Sequence, residues 1–72
     1  MLERGLNLVH FFYEGDISDP EALEYEVNGL NGVDSIDIMT DDKVIYISFD
    51  PGVVNIDSII EVIQNKNIKI NY

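Results

Sequence analysis

The chain predicts an α+β sandwich in which a four-stranded antiparallel sheet carries two helices on one face. Three observations lead there. An aromatic, β-branched run from Leu6 to Tyr13 is followed at once by the helix-start signal Ser18-Asp19-Pro20-Glu21. Two alternating segments, Ser35 to Met39 and Val44 to Phe49, flank a short polar turn. A second apolar helical stripe, Ile56 to Ile63, then precedes a final β-rich tail.

The first strand, Leu6 to Tyr13, is apolar on both faces and is punctuated by Gly15 and an Asp/Ser cluster. In the helix that follows, Asp19 or Ser18 can cap free backbone N–H groups, Pro20 suits the first turn and Glu21 complements the helix dipole. Leu23, Val27 and Leu30 recur at i, i+4 and i+7 and form one apolar stripe, with Glu21, Glu24 and Asn28 facing outward. This helix ends between Gly29 and Gly32.

Ile36 and Ile38 share one face of the next strand, and the turn Thr40-Asp41-Asp42 joins it to Val44–Phe49 as an antiparallel hairpin. Asp50-Pro51-Gly52 stops that strand. Asn55 or Asp57 can open the second helix, which sends Ile56, Ile59, Ile60 and Ile63 toward the core, and Asn67 suits a left-handed residue at its end. The last strand is expected from Ile68 to about Tyr72. Strand, helix, strand, strand, helix, strand is the ferredoxin-like βαββαβ order.

With 72 residues the chain suits a single domain, 1–72, and such a domain buries about 60% of the surface its unfolded chain exposes. Its 46% hydrophobic content is enough for a core without disulfides or a structural metal, and there is no cysteine for either. No apolar run approaches the length of a transmembrane helix and no signal peptide is evident, so the cytoplasm is the expected location. Four basic residues against 14 acidic ones give a formal net charge of −10. Nucleic acid and anionic membrane surfaces are therefore expected to be repelled. A cationic protein partner or a cation remains compatible with this charge, as does plain solubility.

Topology alone says nothing of function, but the spacing of particular residues is narrower. Leu30, Gly32-Val33, Ile36, Ile38, Ile45, Ile47, Phe49-Asp50-Pro51, Val54, Ile59 and Ile63 fall without a gap on the pattern of heavy-metal-associated domains. The chain resembles that family, known from copper chaperones and metal-transporting P-type ATPases. The resemblance implies metal ion binding or metal transport through a Cys-x-x-Cys loop after the first strand. Counting back from Gly32-Val33 puts the two cysteine positions on Asp16 and Asp19; shifting by two to align Gly15 with the motif glycine puts them on Ser18 and Glu21. The ungapped register is the preferred one. The motif's Gly-Met becomes Glu14-Gly15, and the Gly-Tyr that closes the family's second helix becomes Asn67-Ile68.

Thiolates and thioethers suit Cu(I), whereas carboxylates suit hard cations such as Mg²⁺, Ca²⁺ or Mn²⁺. Cu(I) is therefore disfavoured here and no cofactor is required. Glu14, Asp16, Asp19 and Glu21 are the candidate ligands for a weakly held divalent cation, against the simpler reading that acids before a helix act as caps and dipole partners.

If Val9, Phe11 and Tyr13 face the helices, Leu8, His10 and Phe12 face away from them. Val44 and Tyr46 on the third strand are expected beside these, making an exposed apolar patch on the outer sheet face. Leu8, His10, Phe12, Val44 and Tyr46 are thus candidates for a homodimer or protein-partner surface, unless neighbouring polar side chains or Met1–Arg4 cover them. His10 lacks a Cys or second His nearby, which makes it a surface residue rather than a ligand. There is no nucleophile with a base in motif reach and no glycine-rich phosphate loop, so no enzymatic activity is expected. Two readings stay open: a heavy-metal-associated-like domain without its thiolate site, and an interaction module that keeps only the fold.

Overall fold

The computed structural model describes residues 5–71, so Met1–Arg4 as a cover for the outer sheet face, and Tyr72 as the end of the last strand, lie outside the described residues. The elements are β1 (Asn7–Glu14), α1 (Pro20–Asn28), β2 (Val33–Met39), β3 (Val44–Phe49), α2 (Ile56–Gln64) and β4 (Lys69–Asn71). The strands form one antiparallel sheet in the order β2-β3-β1-β4. This is the expected βαββαβ layout.

Each helix begins where its capping chemistry places it. The Asp19 carboxylate accepts a hydrogen bond from the Ala22 N–H at 3.1 Å, with Pro20 in the first turn. At α2 the cap is Asn55, whose Oδ1 accepts from the Ser58 N–H at 2.9 Å. Leu23 and Val27 from α1 and Ile59, Ile60 and Ile63 from α2 are buried against Phe11, Tyr13, Ile45, Ile47 and Ile70 of the sheet. Full burial of a side chain of this size stabilises by about 1.5–3 kcal/mol. Ile45, Ile47, Ile59 and Ile63 are the largest side chains removed entirely from solvent, and they mark the centre of the core.

β2 starts earlier than its alternation predicts, at Val33 instead of Ser35. Val33 opposes Phe49 while Ser35 opposes Ser48, so Asp34 is an extra residue in the ladder, a β-bulge. The bulge restores the phase. Val33 lies an odd number of residues from Ile36 and Ile38, and without an insertion it would point away from the face that they bury. Just before it, Gly32 has φ +97, and its carbonyl accepts from the Asp50 N–H at 2.7 Å. A Cβ there would come within 2.7 Å of Val54 Cγ1 and 2.9 Å of Val53 Cβ, so the position needs glycine twice over, for its backbone angle and for its space.

Glu24, expected to face outward, instead reaches the free edge of β2. Its Oε2 accepts a hydrogen bond from the Ile38 N–H at 3.2 Å.

Candidate functional site

Two surfaces hold the candidate residues. The first is the loop from Gly15 to Asp19 between β1 and α1. Gly15 has φ +83 and turns the chain out of the sheet. Across from it stands Lys43, the last residue of the hairpin turn, itself in the left-handed region at φ 53. Its carbonyl accepts from the Tyr13 N–H at 3.0 Å, and its ammonium donates to the Gly15 carbonyl at 2.6 Å and to the Asp16 carboxylate at 3.1 Å. The β2–β3 hairpin tip and the loop are thereby fastened by one residue.

The four candidate acids are used separately. Asp16 is paired with Lys43, and Asp19 spends a carboxylate oxygen on capping α1. Glu14 stands at the end of β1 opposite Lys69 of β4. Glu21 lies on the exposed side of α1, lining a depression with Glu24, Tyr25 and Asp34. Among the described residues no three His, Cys, Asp or Glu side chains are grouped so as to hold a metal ion. The loop's chemistry does not fit a soft metal either, since cysteine is absent from the chain and both aspartates offer hard oxygen.

Beside the loop is a cavity of about 230 Å³ lined by Asp16, Ile17, Asp19, Glu26, Lys66 and Ile68. Lys66 is held there by Glu26 at 3.1 Å. Neither Lys43 nor Lys66 was expected at this site; the available hint was the scarcity of cations in the chain, four in all, which makes each one's placement informative.

The second surface is the outer face of the sheet. Strand register puts Phe12 opposite Val44 and His10 opposite Tyr46, with Met39 and Asp37 of β2 beside them. Leu8 is 73% exposed, and Phe12, Met39 and Tyr46 are also exposed. His10 ties the aromatic residues together, with its ring edge-on to Phe12 at 5.8 Å and tilted against Tyr46 at 5.9 Å.

Val44 departs from expectation. It points to this face, as its register requires, yet it is 3% exposed and does not belong to the core cluster on the helix side. Its cross-strand neighbours Phe12 and Met39 are bulkier and flank it from both sides, so Val44 is the floor of the patch and not part of its surface. Asn71 of β4 lies opposite Phe12, and among the described residues no strand flanks Leu8 and His10 on that side.

This architecture recurs in solved structures. The proposed copper-ion-binding protein of Bacillus anthracis str. Ames aligns with a TM-score of 0.83 at 22% identity, over 96% of this chain and 100% of its own. The CsoZ metallochaperone aligns with a TM-score of 0.84 at 18% identity, over 94% of this chain and 100% of its own. Oxidized MerP from Ralstonia metallidurans CH34 aligns with a TM-score of 0.80 at 13% identity, over 93% of this chain and 96% of its own. At these identities the likeness is one of fold. No family model matches the chain, and no curated protein matches it. No helix among the described residues is long and apolar enough to cross a membrane.

Proposed function

We propose that this chain is a non-catalytic domain of the heavy-metal-associated kind in which thiolate metal transfer is lost and Asp16 and Asp19 stand at the cysteine positions. The fold shared with a metallochaperone supports the first half of this reading. One observation carries the second: the Lys43 ammonium bonds both the Gly15 carbonyl and the Asp16 carboxylate, oxygens that a cation at this loop would need. A positive side chain already pairs with Asp16, and one oxygen of Asp19 is engaged as a helix cap. An oxygen site for a divalent cation at Glu14, Asp16, Asp19 and Glu21 would compete with the Lys43 ammonium for the Gly15 and Asp16 oxygens.

The exposed patch formed by Leu8, Phe12, Met39 and Tyr46 favours a companion reading, that the domain acts by protein association through its outer sheet face. The two readings are compatible, since they use different surfaces.

A two-dimensional amide NMR titration of the whole chain with Ca²⁺, Mg²⁺, Zn²⁺ and Cu(I) tests the metal half. The resonances of Glu14 through Glu21 should stay in place at micromolar metal. Saturable shifts confined to those residues, and removed by Asp16→Asn with Asp19→Asn, would overturn it.

A further inference from the structure

Four features of the outer face carry an inference about what covers it. Leu8, Phe12, Met39 and Tyr46 form a contiguous exposed apolar surface with Val44 as a packed floor. His10 orders the aromatic rings instead of leaving them independent. The rim is acidic: Asp37 sits beside Tyr46 on the face, and Asp41 and Asp42 occupy the hairpin tip beside Met39 and Val44. Finally, among the described residues Lys43 and Lys66 are each paired with an acid, and Lys69 stands opposite Glu14, away from Asp37, Asp41 and Asp42.

We infer that the outer sheet face docks a basic protein partner, one whose apolar centre meets Leu8, Phe12 and Tyr46 and whose Lys/Arg rim meets Asp37, Asp41 and Asp42. This rests on the association reading above and names its occupant. Charge decides among the alternatives. A second copy would bring together two chains of formal charge −10, with like-charged rims facing each other across the seam. Nucleic acid and anionic lipid meet the same repulsion. A neutral apolar partner would leave the rim carboxylates facing nothing of opposite charge. A basic partner is attracted at long range by the net charge and is oriented by the rim, while the aromatic centre supplies desolvated contact area.

The test uses the full chain, isotopically labelled, with two synthetic helical peptides as probes, one carrying Leu on one face and Lys on the other, and one with Glu in place of Lys. A dilution series of the chain alone runs in parallel. The Leu/Lys peptide should shift residues 8–12, 37–39 and 44–46, and raised salt should weaken it by about tenfold. Asp37→Asn with Asp41→Asn should weaken it similarly, and the Leu/Glu peptide should leave the spectrum unchanged. Leu8→Ser removes an exposed contact without disturbing Val44, and should lower affinity while the chain stays folded.

Concentration-dependent shifts on the same face in the peptide-free series would overturn the basic partner in favour of a second copy, and would leave the association reading standing. Equal binding of both peptides would also overturn it, as would Leu/Lys shifts confined to the acids of α1. Silence of the outer face with both peptides and at every concentration would overturn the inference and the association reading together.

Discussion

The ammonium of Lys43 lies 3.1 Å from the carboxylate of Asp16, so a residue at the end of the β2–β3 turn is in direct contact with a loop 27 positions earlier in the chain. The same ammonium donates to the Gly15 carbonyl at 2.6 Å. This contact places a positive charge from within the chain against the loop.

Lys43 holds φ 53, a region that costs an L-residue about 1–2 kcal/mol and glycine little. Lys43→Gly should therefore unfold in urea at no lower concentration than the parent. Amide exchange at Gly15 to Ile17 should nevertheless quicken, because the side-chain tether is gone. A clear drop in urea midpoint would show that the tether stabilises the fold more than the backbone angle strains it.

Asp16 and Asp19 should respond differently to neutralisation or truncation. Asp19→Ala removes the cap of α1 and should cost about 1 kcal/mol in chemical denaturation. Asp16→Asn breaks an ion pair whose carboxylate is 97% exposed, and should leave the denaturation curve where it was. Equal losses at both positions would count against separate roles for the two acids.

Gly32→Ala should destabilise the chain by about 2–4 kcal/mol, since it forces a Cβ into Val53 and Val54 at a positive φ. Thermal unfolding of the variant is the measurement. A shift no larger than that of Gly5→Ala, where nothing lies within 4 Å of the added Cβ, would contradict the packing described.

Val44→Ala should cost about 1–3 kcal/mol, as a buried valine would, while Leu8→Ala should stay within about 0.5 kcal/mol of the parent. The comparison separates the floor of the outer patch from its surface. Equal, small effects would mean that Val44 is as exposed as the alternation alone suggested.

The elements with strong local chemistry were legible from residues. Ser18-Asp19-Pro20 marked the start of α1 and Asn55 or Asp57 that of α2, where the structure selects Asp19 and Asn55 as caps, and the alternation through Ile36, Ile38, Ile45 and Ile47 set the hairpin's inner face. What escaped were contacts between distant segments. Nothing near Lys43 in sequence announces that its ammonium reaches Gly15, and helix periodicity put Glu24 in solvent because it knows nothing of the strand edge beside α1. Val44 was assigned the right face and the wrong exposure: alternation reports direction, whereas burial depends on the size of cross-strand neighbours such as Phe12 and Met39. The bulge at Asp34 was signalled by the odd spacing from Val33 to Ile36, a local irregularity that has meaning once the partner strand is known. At the loop between β1 and α1 the residue types spoke against soft coordination, but how each carboxylate is engaged became visible in three dimensions.

The bond from the Ile38 N–H to Glu24 also bears on how copies of this chain avoid sticking to one another. An uncovered outer strand is a template on which sheets grow, end to end, into fibrils. On β2 a carboxylate from α1 already accepts from one of the strand's outward N–H groups, Asp34 bulges the strand at its start, and Asp37 adds charge along it. Lateral growth of the sheet from this side is thereby discouraged by the fold itself.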